Sequence, residues 1–222
     1  MAGVFFAGCA SGPKFINKEI PFPTRVAVLP FANETNDVGG PETVRQVFAK
    51  MLPLRGYDVQ DLQTTSDILL QQFGINDGGQ LGSVTVKELG EKLGVDGLFY
   101  GNLLQFVDLP LGFVRKRVVQ AEFKLVETSS QTLLWQDKKK WITPELHLSS
   151  EEAKTAFAVQ VAERQIEKIT GKFLLLESKL VVLNALKELP VCRAIDSDNF
   201  LDQQRQAETE FREKLRGRIE LK

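Results

Sequence analysis

The residue types that most often carry chemistry are scarce in this chain. Its 222 residues hold one histidine, His147, and two cysteines, Cys9 and Cys192. A general base needs a nucleophile or an orienting acid within reach, and no serine or cysteine stands in a recognisable nucleophile motif. His147 falls in a connector ahead of a helical stretch and reads as a surface or cap residue. One histidine and two distant cysteines do not make a transition-metal site, and there is neither a C-x-x-C pair nor a disulfide framework. The run Asn76-Asp77-Gly78-Gly79-Gln80-Leu81-Gly82 is glycine-rich enough to cradle a phosphate. It lacks the spacing of both nucleotide-binding fingerprints and does not directly follow a strand, so it reads as a flexible, solvated connector. Asp58, Asp61 and Asp67 make an acidic cluster on paper, but they stand at turns and helix starts, where aspartate has structural work. The expectation is therefore no catalytic residue, no metal ligand and no cofactor.

The remaining chemistry is at Cys9. Val4-Phe5-Phe6-Ala7-Gly8-Cys9 matches the end of a bacterial lipoprotein signal peptide: an apolar stretch, two small residues, then the cysteine whose sulfur receives a diacylglycerol. Phe6 stands where an aliphatic residue is usual, and the basic and most of the apolar part of such a signal are missing. The competing reading is a frayed terminus with a chance cysteine. On the lipoprotein reading, residues 1–8 are a signal-peptide remnant and Cys9 is the mature N-terminus. Acyl chains such as palmitate anchor it, at about 0.8 kcal/mol per buried CH₂. Ala10, rather than aspartate, follows the cysteine, which resembles an outer-membrane address. Residues 9–23 then form a lipidated tether, with Pro13, Pro21 and Pro23 opposing regular structure. Cys192 is left as an inert thiol.

The rest of the chain must supply a body for that anchor. Hydrophobic residues make up 43% and charged residues 26%, with a formal net charge of -1. That balance gives one good core and no broad basic surface for nucleic acid. No apolar run is long enough for a spanning helix. Arg25-Val26-Ala27-Val28-Leu29-Pro30-Phe31 reads as a strand buried on both faces, because it is apolar without alternation. After Gly39-Gly40-Pro41, the residues Val44, Val47, Phe48, Met51 and Leu52 recur at helix spacing. Tyr57-Asp58-Val59 is a short strand and Thr65–Phe73 a weaker helix. Thr85 and Glu88 form a capping box for a helix that Gly94 ends. Gly97–Val107 is a long central strand and Leu109–Phe113 a turn. Val119, Ala121, Phe123 and Leu125 alternate with polar residues as a strand does. Thr132–Lys140 is the last strand, with Leu133 and Trp135 inward and Lys138-Lys139-Lys140 protecting an edge. Ser149 to Glu152 caps a long helix whose apolar positions are Phe157, Val161, Ile166, Ile169 and Phe173, with Gly171 as a breaking point. The apolar pattern resumes at Leu176, Leu180, Leu183 and Leu186. From Asp196 the chain is polar, and Ala207, Phe211 and Leu215 keep helix spacing. The fold class is α/β, an α+β sandwich: one mixed, mainly antiparallel five-stranded sheet with helices packed on it, plus a C-terminal helix. Residues 24–190 form the domain and 191–222 a polar helical tail.

Several of these segments carry a resemblance. Arg25 to Phe31 with Asn33-Glu34-Thr35, then Leu93-Gly94-Val95-Asp96-Gly97 leading into a strand, is similar to a superfamily of bacterial envelope proteins. It includes the N-terminal domain of the Tol-Pal translocation protein, the curli secretion channel lipoprotein and lipoprotein activators of peptidoglycan synthases. The nearest likeness is to the GNA-type lipoproteins of proteobacteria, whose activity is unassigned, with Gly56-Tyr57-Asp58-Val59 and Tyr100-Gly101 in the usual places. The resemblance covers about Cys9 to Pro190. It implies fold, anchoring and compartment, and carries no catalytic residues.

The expected role follows. The chain reads as a non-catalytic, lipid-anchored envelope protein on the periplasmic side of the outer membrane of a Gram-negative bacterium. It would work as a binding or assembly component. Its expected partners are the membrane through Cys9, other envelope proteins and a possible second copy of itself, and not nucleic acid. The candidate contact surface is the apolar turn Leu109, Leu111 and Phe113, flanked by Arg115 and Arg117. The alternatives are a subunit of an outer-membrane secretion pore and an activator of a peptidoglycan synthase. The turn is too short to supply two membrane strands of roughly 9–11 residues each.

Overall fold

The computed structural model describes residues 16–17, 20–111, 113–146, 150–192 and 197–220. Cys9, His147 and Ser149, the first residue of the Ser149–Glu152 cap, lie outside them.

Strand β1 (Arg25–Val28) lies inside the sheet, one strand in from its edge, and Val26, Ala27 and Val28 have no exposure at all. Val26 and Val28 belong to one apolar cluster, Ala27 and Leu29 to a second. Both faces are covered, which is why the strand carries no polar alternation. Around it lie β2 (Ala32–Asn33), β3 (Asp58–Val59), β4 (Gly97–Pro110), β5 (Val114–Glu127) and β6 (Leu133–Leu146). The order across the sheet is β3-β1-β4-β5-β6, with β2 beside β4. β1 runs parallel to β3 and β4, and β4, β5 and β6 are antiparallel. The sheet is thus mixed with helices packed on it, as the element order predicts, with one more strand. β2 has only two residues, too few for a period to show.

One face is covered by α1 (Gly40–Met51) and α5 (Leu175–Leu186), the other by α2 (Leu62–Phe73) and α3 (Val86–Leu93). Under α1, Phe48 stacks on Phe123 with ring centroids 4.6 Å apart and meets Phe99 edge-on at 5.2 Å. Aromatic pairs of this kind add about 0.5–1.5 kcal/mol beyond their area. The Thr85–Glu88 capping box of α3 forms as expected. α2 starts earlier than Thr65 because Asp61 caps it, accepting from the Thr64 N–H at 2.8 Å.

The glycine-rich run is not a flexible loop. It forms a 3₁₀ turn, Gly78–Ser83, capped by Asp77 and Gln80. A Cβ on Gly78 would lie 2.2 Å from the Ala32 nitrogen, so glycine there lets the turn press against β2. A β-bulge beside Leu125 shifts the ladder to β6. Leu134 is thereby fully buried next to Trp135, while Leu133, expected inward, is only half-buried.

The three long strands run 14 residues each and project past the short strands. Leu109 and Pro110 belong to β4 rather than to a turn, and β6 continues beyond Lys140 to Leu146. Pro110 is tolerated because, among the described residues, no strand pairs with that side of β4 past Leu103. The connection is closed by the Leu111 N–H donating to the Val114 carbonyl at 2.9 Å.

Two further helices complete the chain. α4 (Ser150–Ile169) is separated from α5 by Gly171, whose φ of +65° ends the helix. α6 (Ser197–Glu220) brings Ala207 into the core cluster. The side chains of Phe211 and Leu215 lie outside the described residues. Between α5 and α6 the Tyr57 hydroxyl donates to the Pro190 carbonyl at 3.1 Å, and the Cys192 N–H donates to the Arg55 carbonyl at 3.0 Å. The Cys192 thiol is free and half-buried, 3.3 Å from the Pro23 carbonyl oxygen.

Candidate functional site

The sheet's projecting end holds the residues expected to make contacts, and it divides them. Leu109, Leu111 and Phe113 are 45%, 65% and 51% exposed, and Val114 and Ile142 lie exposed beside them. Arg115 and Arg117 do the opposite of what their place beside the turn predicts. Both are fully buried. Strand alternation turns them to the face that carries Val119, Ala121 and Phe123 further along β5, and helices cover that face. They are not available to headgroups or partners.

Each buried guanidinium is met by two carboxylates. Arg115 Nε and Nη2 donate to the two oxygens of Asp108 at 2.9 and 2.8 Å, and Nη1 reaches Glu163 at 2.6 Å. Arg117 Nη1 and Nη2 donate to Glu167 at 3.1 and 2.7 Å, and its Nε lies 3.0 Å from Glu177. Bidentate charge-assisted pairs are the strong class of hydrogen bond. Burial works against the charge of Arg115, but the bonds to Asp108 and Glu163 outweigh it, and its pKa is raised. Glu163 and Glu167 belong to α4 and Glu177 to α5. Two arginines of one strand therefore hold two helices on the sheet.

This arrangement turns α4 inside out. Its protein-facing side carries Ala153, Gln160, Glu163 and Glu167. Several of its apolar residues are left outside: Phe157 is 49% exposed, Ile166 61% and Ile169 84%. The joint to α5 is plugged by Phe173, which meets Phe106 edge-on at 5.6 Å under the ammonium of Lys168 at 4.8 Å. Lys168 also lies 3.6 Å from Asp37. Between α4 and the loop after β2 is an open cleft of about 560 Å³, with Glu34, Asp37, Lys116, Arg164 and Lys168 around it. Its charges are of both signs.

Among the described residues no three histidine, cysteine, aspartate or glutamate side chains are placed to hold a metal ion. Among them, no helix is long and apolar enough to cross a membrane. The sequence marked the apolar turn. It did not mark the arginine network, although Arg115 and Arg117 two apart in β5, with Glu163 and Glu167 four apart in α4, are the signal that could have shown it.

Comparison with known proteins places this geometry. The crystal structure of lipoprotein GNA1162 from Neisseria meningitidis superposes with a TM-score of 0.52 at 20% identity, covering 66% of this chain and 99% of that one. The PelC dodecamer from Paraburkholderia phytofirmans gives 0.44 at 14% identity, covering 75% of this chain and 89% of that one. The LpoB C-terminal domain from Salmonella enterica gives 0.42 at 16% identity, covering 56% and 86%. No curated protein matches the sequence. The model of the family described as "Putative lipoprotein GNA1162-like" matches residues 19–173, well over half of the chain. This protein belongs to the GNA1162-like lipoprotein family.

Proposed function

We propose that the protein is a non-catalytic assembly component of the bacterial envelope. Lipid on Cys9 holds it to the outer membrane, facing the periplasm, and the apolar end of the β4–β5 hairpin makes its contact with other envelope proteins. One observation carries this reading. Leu109, Leu111 and Phe113 stand in solvent at the end of strands that buried arginine pairs brace from behind. Apolar side chains on a braced support lose little conformational freedom on binding, which is what a contact surface needs. The membership in a lipoprotein family supports the anchor.

The two parts are tested separately. Full-length protein made in a Gram-negative host should incorporate an alkyne-tagged palmitate, and Cys9→Ser should abolish labelling. Native chain that stays unlabelled removes the anchor. A photo-crosslinking amino acid at position 111 or 113 should capture a defined envelope protein in cells, and the same probe at exposed Lys87 on α3 should not. Equal capture from both positions removes the hairpin as the contact surface.

A further inference from the structure

We infer that the outer edge of β6 receives an extended, acidic segment of a partner protein, which joins the sheet as one more strand. This edge lies on the flank of the sheet and stands apart from the hairpin contact. β6 closes the strand order, so its far side has no neighbouring strand among the described residues. The register fixes which backbone groups face that side. The Leu103 carbonyl accepts from the Glu34 N–H just after β2, so Leu103 points away from β5. In an antiparallel ladder the N–H and C=O of one residue point the same way, and successive residues alternate. Leu103 stands opposite Ala121, and Ala121 opposite Lys139. Ala121 and Lys139 therefore bond to each other, and the backbone groups of Gln136, Lys138, Lys140 and Ile142 point outward. All four residues are exposed. Pro144 has no N–H to offer and ends the run.

A row of unanswered donors and acceptors is a template for an extended chain. The molecule itself shows the mode once. The Ile16 N–H donates to the Leu134 carbonyl at 3.1 Å, at the start of the same edge. From Gln136 to Ile142 the edge runs about 20 Å, at about 3.4 Å per residue, which is room for a segment of about seven residues.

The side chains beside the edge select the partner. Lys138 and Lys140 stand on it, and alternation places exposed Lys116 and Lys124 of β5 on the same face. Glu122, 2.9 Å from Lys138, is the one carboxylate on that face of β5 and β6. The excess of positive charge calls for carboxylates at alternate positions of the incoming strand, opposite Lys138 and Lys140. The same lysines turn away the other candidates. Two copies of this chain pairing edge to edge would set lysines against lysines, and an apolar strand would leave both ammonium groups unanswered. Lysine on an edge keeps the wrong strand off. It does not repel an acidic one.

The test uses the full chain with Cys9→Ser and fluorescent peptides of about seven residues. One peptide alternates valine with glutamate, the other valine with lysine. The glutamate peptide should bind, more weakly in 0.5 M sodium chloride, and the lysine peptide should not. In hydrogen exchange, the amides of Lys138, Lys140 and Ile142 should be open in the chain alone and protected by the glutamate peptide. Lys138→Glu with Lys140→Glu should weaken that peptide about tenfold or more and admit the lysine peptide. Ile142→Pro removes one outward N–H without touching the ladder to β5. It should weaken binding while circular dichroism stays unchanged. No binding of the glutamate peptide overturns the proposal. So do amides already protected in the chain alone, which would mean that the chain's own first residues or a second copy hold the edge. Binding that Ile142→Pro leaves unchanged overturns it too, since the lysines would then attract carboxylates without a strand.

Discussion

α4 and α5 lie on the same face of the same sheet and both reach Arg117, but the balance of what holds them there differs. α5 buries Leu180, Val181, Val182, Leu183 and Leu186 to 3% exposure or less, as an apolar helix over an apolar surface. α4 is attached through Glu163 and Glu167 to arginines and keeps its isoleucines in solvent. Apolar burial is non-directional and tolerates small shifts. Paired guanidinium and carboxylate groups allow one position, because each buried charge left unmatched is expensive. The difference teaches that the projecting end of the sheet is positioned rather than merely buried. Fixed side chains around it can present an apolar tip to partners.

The largest effect should come from breaking the ionic side. Arg117→Ala strands Glu167 and Glu177 and should cost about 3–5 kcal/mol, because the partners remain buried without a counter-charge. Urea denaturation measures it, and a loss under 1 kcal/mol would mean that the network is ornamental. Leu183→Ala breaks the apolar side. It should cost about 2–5 kcal/mol, from lost transfer energy and the cavity left behind. The loss should be insensitive to 1 M salt, and so should that of Arg117→Ala if the pair is as dry as its burial indicates. Gly101→Ala asks whether the shared core has slack. Its Cβ would stand 2.4 Å from the Phe31 ring, and overpacking of that kind costs about 1–3 kcal/mol. An unchanged melting midpoint would show that Phe31 can move aside.

The smallest effect belongs to the opposite end of the β5–β6 ladder, where the turn is polar instead of apolar. Burial opposes the charge of Glu127, but hydrogen bonds from Ser130 and Ser129 outweigh it and bring its pKa down from 4.5 to about 2. A carboxylate whose folded pKa is depressed stabilises above its unfolded pKa and loses that contribution as pH falls through the folded value. Glu127→Gln should therefore lower stability at pH 7 by no more than about 1 kcal/mol, since the group is partly solvated. The gap to the parent should narrow from about pH 4.5 and close near pH 2. A gap that persists unchanged at pH 2 would assign the effect to shape rather than charge.

Much of the architecture was legible beforehand, for local reasons. The unalternating run at Arg25–Leu29 announced a strand covered on both sides, and Val44, Val47 and Phe48 announced the face of α1. Thr85 with Glu88 is a cap that forms from four consecutive residues. The local pattern fails where a neighbour decides. Leu133 lost its place to Leu134 through a bulge that only the pairing with Leu125 creates. The glycine-rich run became an ordered turn because β2 lies against it. Pro110 joined a strand because that strand's far side is free.

The amino-acid order by itself determined most of the strands and helices, the Thr85–Glu88 cap and the lack of a recognisable catalytic motif. Those depend on dihedral preference, side-chain period and hydrogen bonds within a turn. Only the tertiary structure decided that Arg115 and Arg117 point inward and that α4 shows its isoleucines to the outside. A strand's alternation states that successive residues face opposite sides, and a helix's period states that it has a stripe. Neither states which side the rest of the molecule will occupy. That is set when two guanidinium groups and the carboxylates of two distant helices come to share one dry space, where each charge requires the other.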